Sequence, residues 1–278
     1  MKPTKMTKKT KSTILFWLRI AVQLGFFIFL PALFSQSYAG LKEIVTSIGG
    51  AKPLDFSSVF IIRLIVLCLL TVLAGRVFCG WACAFGAVGD WIYSFTGFIL
   101  KKLGIKRKLL PEKISIQLRK LKYFVLMGTL ILCFFQLGRY VSEYSPWTSF
   151  SLITSFNLNP AEHIISVVIL VGIVIGMAST ERFFCRFLCP MGAVFSLLPE
   201  LPFLSIKRNA AGCIKGCSAC KRNCPVNLKL NDDPSVDGEC IRCGKCMNTC
   251  PKKNLSFFRR SAVSGSSDSL LTSSLLDD

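Results

Sequence analysis

Four long apolar segments, separated by stretches rich in lysine and arginine, constrain the fold of this chain more than any other feature. Each segment is long enough to cross the hydrocarbon core of a bilayer, about 30 Å thick, as one helix. Inside lipid every backbone polar group needs a partner within the protein, and a helix provides one for each. The segments are residues 14–34, 58–75, 121–138 and 163–179.

The composition agrees with membrane insertion. Hydrophobic residues make up 52% of the 278 residues and charged residues only 18%, whereas soluble domains carry about 25% charged residues. The formal net charge is +19, and the apolar segments separate the basic residues. We therefore expect a multi-pass membrane protein with lipid as a partner, and no binding of nucleic acid. The first apolar segment is too long for a signal peptide, so we expect it to remain as a span.

The charges between the apolar segments predict the orientation of the chain. Residues 1–13 carry five lysines and no acid, and residues 101–122 carry nine basic residues and one acid. The segments 35–56 and 140–162 have no excess of positive charge. Because cytoplasmic segments collect lysine and arginine, we predict a bacterial-type inner-membrane protein with both termini in the cytoplasm.

Two further apolar segments are predicted to lie along the cytoplasmic face. Residues 84–100 contain Asp90, and if they crossed the membrane the basic stretch that follows would lie outside. Residues 187–204 are predicted to be their counterpart. Three prolines interrupt this second segment: Pro190, Pro199 and Pro202.

An internal repeat relates the two halves of the apolar region. Residues 76–88 recur as residues 182–194, with an Arg, a Phe, two Cys and a Gly-Ala-Val in the same register. Each copy follows a predicted span in the same direction, so we predict two parallel halves related by an axis along the membrane normal. Each half would contain a span, an outer loop, a second span, a cysteine motif and an interfacial helix.

Eight of the 14 cysteines form two boxes in the polar, basic region 205–260. The second box has the spacing C-x2-C-x2-C-x3-C-P of bacterial ferredoxins, in which the fourth cysteine ligates the other of two [4Fe–4S] clusters. The first box has the same form except for a three-residue first gap. Cross-ligation predicts a cluster 1 held by Cys213, Cys217, Cys220 and Cys250, and a cluster 2 held by Cys240, Cys243, Cys246 and Cys224.

Two alternatives stay open for these boxes. Paired C-x2-C sequences also bind zinc in ribbons, although two runs that each end in Cys-Pro fit zinc poorly. The wider first gap, between Cys213 and Cys217, could leave cluster 1 strained or with three cysteine ligands.

The repeated motif carries two further pairs of cysteines with the spacing C-x3-C: Cys79 and Cys83, and Cys185 and Cys189. A parallel repeat would bring the two pairs face to face. We therefore predict a third iron–sulfur cluster or a metal ion between the halves, ligated by all four thiolates. Pro190 predicts that the cysteine before it lies in the turn that precedes the interfacial helix.

Other interpretations of the C-x3-C motifs remain. The thiols could be buried for packing, or they could form a reversible dithiol switch. Arg76 and Arg182, three residues before the first cysteine of each motif, would either offset the negative charge of a bound cluster or act as basic anchors at the membrane surface.

Four apolar spans, two C-x3-C motifs and a C-terminal double ferredoxin box resemble the NapH/MauN family of membrane-bound ferredoxin-type proteins. The resemblance covers about residues 14–255 and extends more loosely to NosR-like regulators and to accessory proteins of cytochrome oxidase. It implies electron transfer from quinol toward a ferredoxin or cytochrome partner. The chain departs from the family pattern where Ala84 replaces a proline, and in the wider first gap of the first box.

The sequence therefore predicts four regions. They are a basic cytoplasmic tail (1–13), a membrane domain of four transmembrane helices in two parallel repeats with interfacial helices (14–204), a ferredoxin-like domain with two [4Fe–4S] clusters (205–260) and a disordered tail (261–278). The predicted function is electron transfer between the quinone pool and a redox partner. The alternatives are a maturation factor that reduces a metal or thiol for a respiratory enzyme, and a membrane redox sensor.

Overall fold

A computed structural model describes residues 8–105, 107, 111–154, 164–199, 205–208, 213–214, 216–228, 238–252 and 254–258. Within these residues the chain forms thirteen helices and one two-stranded sheet. The predicted tail 261–278 lies outside the described residues, and so do the first seven residues of the predicted basic tail.

The first half of the helical region differs from the prediction at its start. Its elements are α1 (Lys8–Phe29), α2 (Leu33–Gly49), α3 (Val59–Ala74), α4 (Val77–Trp81) and α5 (Ala84–Lys102). The predicted first span, 14–34, is not one continuous helix, because Pro31 lacks the N–H group that would continue the helical ladder. The predicted outer loop 35–56 is mostly the helix α2.

Helix α2 packs closely against α3. The residues that it buries include Phe34, Ser37 and Tyr38, which recur at the three- to four-residue spacing of one helical face. Gly40 lies on the same side, and an added Cβ at this position would collide with the backbone carbonyl of Phe60 in α3. This segment is therefore an amphipathic helix of the core and not a connecting loop.

The second half repeats the order of elements of the first. Its elements are α6 (Glu112–Phe134), α7 (Gly138–Glu143), α8 (Pro146–Thr154), α9 (Ile164–Ser179), α10 (Phe183–Phe187) and α11 (Pro190–Leu197). In each half a 16-residue apolar helix, α3 or α9, is followed by a five-residue helix that carries the first cysteine. A further helix, α5 or α11, begins at the residue after the second cysteine. The structure thus confirms the internal repeat.

The two helices that follow the motifs also lie where the sequence predicts helices. Helix α5 covers the predicted segment 84–100. Helix α11 ends at Leu197, earlier than the predicted 204, because Leu198 precedes Pro199 and has an extended backbone. As predicted, Cys189 is the N-cap of α11 with Pro190 as the first helical residue, and its sulfur accepts a hydrogen bond from the backbone N–H of Gly192 over 3.2 Å.

Within the described residues, no helix is by itself both long and apolar enough to cross a bilayer. The segments Phe16–Phe29 and Leu33–Gly49 meet that requirement only as a pair, with a bend of 57° at the break between them. Val59–Ala74 and Ile164–Ser179 are apolar but shorter. The four transmembrane helices therefore stay a prediction.

Two short strands close the polar C-terminal region. Strands β1 (Ser205–Arg208) and β2 (Leu255–Phe258) pair in antiparallel orientation, with Ser205 opposite Phe258. Both cysteine boxes lie between these strands in the sequence, and each carries a short helix, α12 (Ala219–Arg222) or α13 (Lys245–Thr249). The strand pair brings the two ends of the region together, and the domain boundaries 205–260 stay a prediction.

This C-terminal region packs directly on the first cysteine motif. An added Cβ at Gly80 would collide with the backbone carbonyl of Ile241. The indole N–H of Trp81 donates a hydrogen bond to the backbone oxygen of Arg242 over 3.3 Å. Gly75 has a φ of 62°, and the guanidinium group of Arg242 fills the space in which its side chain would lie. The close approach thus requires glycine at both positions.

Aromatic side chains fill the interior between the two halves. The rings of Phe85 and Phe184, one from each half, have centroids 4.6 Å apart, and those of Phe78 and Phe195 are 5.1 Å apart. Trp147 packs edge-on against Phe184 at 5.6 Å. Such pairs contribute beyond the area that they bury, and here they hold the cysteine motifs of the two halves against each other.

Candidate iron–sulfur sites

The four cysteines of the repeated motif line one cavity between the two halves. Cys79 and Cys185 lie on the short helices α4 and α10, while Cys83 and Cys189 are the N-cap residues of α5 and α11. Arg76 and Gly192 complete the lining together with apolar side chains: Phe34, Phe85, Trp147, Phe184, Met191 and Phe195. The structure therefore brings together the two pairs of thiols that the repeat predicts to meet.

Burial and nearby positive charge shift the pKa of these thiols in opposite directions. Burial raises the pKa of Cys79, Cys83 and Cys189, and the nearby Cys185 raises each pKa further. Arg76 lowers the pKa of Cys79, with which it shares a hydrogen bond, and that of Cys189. Since the thiolate is the form that ligates metal, a buried guanidinium here favours the ligating form.

The two arginines of the repeat reach across to the opposite half. The guanidinium of Arg76 lies beside Gly192, and that of Arg182 lies beside Gly86, the equivalent position of the first copy. Arg182 also donates to the backbone oxygen of Cys79 over 2.6 Å. The side chains of Arg76 and Arg182 are only 2% and 1% exposed. The alternative that they are anchors at the membrane surface is therefore wrong.

The carboxylate of Asp90, in α5, compensates the positive charge of Arg182. Nε and Nη2 of Arg182 donate to the two carboxylate oxygens over 2.8 and 2.6 Å, and Nη2 of Arg19 donates to the same carboxylate over 2.6 Å. Burial alone would raise the pKa of Asp90, but the charge and hydrogen bonds of Arg182 outweigh it and hold that pKa below its usual value. The ionised carboxylate thus ties α1, α5 and the second cysteine motif together.

Three cysteines of the first box and one of the second form a separate set. Cys213, Cys217, Cys220 and Cys250 line one cavity of the C-terminal region. Cys217 is exposed and the other three are half-buried, so this set lies at the surface. It is the grouping that cross-ligation predicts for cluster 1, including Cys213 after the wider gap. Ligation by these residues stays a prediction.

The remaining cysteines of the boxes are close neighbours as well. Burial, together with the charges of Cys243 and Cys224, raises the pKa of Cys240 and Cys246 to about 12. Backbone N–H groups donate hydrogen bonds to the sulfur of Cys224 from Leu228, Val226 and Asn227. Such bonds to sulfur are among the features that set the potential of a cluster. This set matches the grouping predicted for cluster 2.

Shared apolar contacts connect the three sets of thiols. Cys79 packs on the same small apolar cluster as Cys224, Cys240 and Cys243, around the buried Ile241. A second apolar cluster, around Ile206 and Leu255, joins four cysteines of both boxes: Cys220, Cys240, Cys246 and Cys250. The order from the interior to the surface is therefore the C-x3-C site, the set of cluster 2 and the set of cluster 1.

Sequence reasoning missed Glu239, which connects these sites. Its carboxylate forms ion pairs with Lys122 of α6 and with Arg76, the latter over 3.4 Å, and accepts a hydrogen bond from Tyr123 over 3.2 Å. Burial would raise the pKa of Glu239, but Arg76 and Lys122 keep it below its usual value. The available signal was its position directly before Cys240 in a strongly basic region.

The donor sets suit iron–sulfur clusters. Each set offers four thiols. Backbone N–H groups donate to the sulfurs of Cys189 and Cys224, and the buried Arg76 lies beside the C-x3-C thiols, which favours an anionic cluster. Within the described residues, no three His, Cys, Asp or Glu side chains lie together as the ligands of a single metal ion, so the fit to clusters rests on the chemistry of the donors and on the cavities that they line.

Comparison with protein families agrees with this chemistry. A family described as "4Fe-4S binding domain" matches residues 58–106 and 162–208. Each match covers one C-x3-C motif with the helices around it, so the two halves of the repeat belong to the same family. No solved structure matches the chain significantly.

Three relatives extend the comparison to most of the chain. The uncharacterised protein MJ0750 of Methanocaldococcus jannaschii is 32% identical over 84% of this chain and 90% of its own length. The putative electron transport protein YccM of Escherichia coli is 26% identical over 77% of this chain and 59% of its own length. The ferredoxin-type protein NapH of Haemophilus influenzae is 27% identical over 84% of this chain and 76% of its own length.

The fold, the cysteine sets and these matches define an iron–sulfur protein of the ferredoxin type, a class that transfers electrons. More narrowly, the chain belongs to the NapH/MauN-like family of ferredoxin-type proteins. The resemblance seen in the sequence is thus confirmed.

Proposed function

We propose that the protein transfers electrons between the quinone pool of a cell membrane and a redox partner. Three iron–sulfur clusters would be held by the C-x3-C site and by the two sets of the C-terminal region. The observation that carries the proposal is the order of the thiol sets. They lead from the neighbourhood of a large apolar cavity to the surface of the molecule.

Exposed apolar side chains support insertion in a membrane. Phe29 of α1 is 82% exposed, Phe124 of α6 is 72% exposed and Val168 of α9 is 65% exposed. On α3 the exposed apolar residues recur at the spacing of one helical face, namely Ile62, Ile65, Val66, Leu69 and Leu73. Soluble proteins rarely expose contiguous apolar surface of this kind, whereas lipid-facing helices are apolar outside. We propose that α1, α3, α6 and α9 lie in the bilayer, with both termini in the cytoplasm as the charge pattern predicts.

The apolar cavity suits a quinone. It has a volume of about 340 Å³ and lies among α2, α6, α7, α8 and α9. Its few polar groups are hydroxyls that can bond to quinone oxygens, among them those of Tyr38, Tyr140 and Tyr144. Trp147 and Phe184 line both this cavity and the C-x3-C cavity. A quinone ring bound here would lie one side chain away from the four thiols.

The protein's own contribution is to position and tune its redox groups. Clusters bound by the thiolates supply one-electron chemistry. Arg76 supplies buried positive charge beside the C-x3-C site, and N–H groups supply hydrogen bonds to sulfur. Cys217, which is exposed, marks the face on which we propose that a ferredoxin or cytochrome partner exchanges electrons.

Metal analysis of the full-length protein, purified without oxygen, tests the clusters. Three [4Fe–4S] clusters correspond to about twelve iron atoms per chain, and Cys79→Ser or Cys189→Ser should each remove about four of them. Cys68→Ser, a thiol of α3 outside the three sets, is the control. Equal iron in all variants would contradict a cluster at the C-x3-C site.

A second experiment tests the quinone cavity. A soluble quinol analogue should reduce the clusters of the wild-type protein, followed by electron paramagnetic resonance. Leu132→Trp places a large ring in the cavity lining and should slow this reduction about tenfold or more at unchanged iron content. Leu69→Trp is the matched control, because Leu69 of α3 is 60% exposed and lies outside the cavity lining. Equal rates in both variants would count against this cavity as the quinone site.

A further inference from the structure

A second large cavity lies where the end of α9 and the helix α10 meet the first cysteine box. Its volume is about 300 Å³. Three of its described lining residues are basic, namely Arg186, Lys221 and Arg222, and one is acidic, Glu181. The Glu181 carboxylate is already in an ion pair with Lys245, which lies outside the lining. Among the described side chains other than Cys224, a predicted ligand of cluster 2 that also lines the cavity, basic residues therefore outnumber acidic ones.

Arg186 is the buried member of this group. It is 5% exposed, and its Nη2 donates a hydrogen bond to Ser115. Its Nε is buried and has no hydrogen-bond partner among the described residues. The like charge of Arg119 is close enough to act on it. A buried guanidinium donor without an acceptor is unfavourable, so a ligand that brings oxygen atoms and negative charge would relieve this position.

The internal repeat makes Arg186 unusual. The equivalent residue of the first copy is Gly80, against which the C-terminal region packs. The repeated architecture therefore does not need an arginine here. The second copy instead places a charged side chain beside a cavity, at the corresponding point of its motif.

We propose that this cavity binds a phosphate-bearing anion, either the headgroup of an acidic phospholipid or free phosphate. Guanidinium groups match phosphate oxygens with paired hydrogen bonds, and Arg186 and Arg222 both line the cavity. Four further polar side chains can donate hydrogen bonds from the same lining: Tyr93, Thr180, Ser218 and Asn227.

The position of the cavity fits both sources of phosphate. Ser179 ends α9, one of the helices that we propose to lie in the bilayer, so the cavity is at the level of the cytoplasmic headgroups under that proposal. Basic pockets between helices on this side of a membrane bind anionic headgroups. Free phosphate needs no membrane, and the test separates the two sources.

The experiment uses the cluster-loaded, full-length protein and two probes. One arm measures retention of phosphatidylglycerol, by mass spectrometry, after transfer from mixed phosphatidylglycerol and phosphatidylcholine vesicles into detergent. The other arm titrates inorganic phosphate in a calorimeter. Arg222→Gln is the main variant because Arg222 is exposed and its replacement leaves the interior intact, and Lys221→Gln is the second. Arg139→Gln, an 86% exposed base of α7, is the control.

We expect at least one probe to bind the wild-type protein and the control, and Arg222→Gln to weaken that binding about tenfold with unchanged iron content and cluster spectra. Retention of the lipid alone identifies a headgroup site, and binding of phosphate alone identifies a free anion. The proposal fails if neither probe binds, or if Arg222→Gln and Lys221→Gln bind as well as the control. It also fails if Arg222→Gln loses iron, because the basic residues of the cavity would then stabilise the cluster bound by Cys224.

Discussion

Replacing Asp90 by asparagine is the sharpest test of how the two halves are held together. The carboxylate accepts hydrogen bonds from Arg182 and Arg19 and one from Gln23 over 3.3 Å. Asparagine has nearly the same shape, so the substitution removes charge without leaving a cavity. Both guanidinium groups then stay buried, at 1% and 11% side-chain exposure, without their counter-charge.

The size of the effect follows from this burial. Removing one partner of a buried ion pair costs about 3–5 kcal/mol, because the remaining charge is left uncompensated. The matched control is Glu143→Gln, which breaks the exposed pair between Arg139 and Glu143, whose side chains are 86% and 40% exposed. Exposed pairs at this helical spacing contribute only about 0.3–0.5 kcal/mol.

The measurement is the free energy of unfolding in detergent micelles, from titration with denaturant and tryptophan fluorescence at matched iron content. Asp90→Asn should lower this free energy about 3–5 kcal/mol, and Glu143→Gln less than about 1 kcal/mol. If both variants unfold within about 1 kcal/mol of each other, Asp90 does not hold Arg182 and Arg19 in the way described.

Three further predictions concern pH, the docking of the C-terminal region and cross-ligation. Because the pKa of Asp90 lies below its usual 3.8, ionised Asp90 stabilises the fold fully above that value, and this contribution is lost as pH falls through the lower folded pKa. The free energy of unfolding, measured against falling pH, should show this loss in the wild type and not in Asp90→Asn. Gly80→Ala should weaken the packing of the C-terminal region on the first cysteine motif by about 1–3 kcal/mol, because the added methyl group would collide with Ile241. Limited proteolysis of this variant should be faster, whereas Gly128→Ala, which places its methyl group in open space, should be cleaved like the wild type. Cys250→Ala should abolish the resonance signal of cluster 1, and loss of the cluster 2 signal alone would refute cross-ligation.

Local patterns in the sequence predicted much of the cysteine architecture. The spacing of the repeat placed the two C-x3-C motifs after equivalent helices, and Pro190 fixed the residue before it as a helix cap. Both follow from constraints that act over a few residues. The boxes likewise predicted which four cysteines lie together, since Cys250 joins three cysteines of the other box in one cavity.

Long-range contacts and the amphipathic helix α2 were harder to predict from the sequence. The segment 35–56 has mixed polarity, which favoured a loop, although the spacing of Phe34, Ser37 and Tyr38 marks one face of a helix. Asp90 and Glu239 find their partners far away in the sequence, at separations of 92 residues for Arg182 and 117 for Lys122. No local pattern specifies such pairs, because the folded backbone alone brings them into contact.

Buried charge surrounds the junction between the cysteine motifs and the C-terminal region. Arg76, Lys122 and Arg182 are each at most 2% exposed, and all three lie where the cysteine motifs and the C-terminal region meet. Among the described residues, two carboxylates, those of Asp90 and Glu239, face this group. Buried cations in excess of buried anions are costly unless further negative charge is present. Thiolate-ligated clusters at the adjacent sites, as we propose, would bring that charge, and their binding would then stabilise this junction.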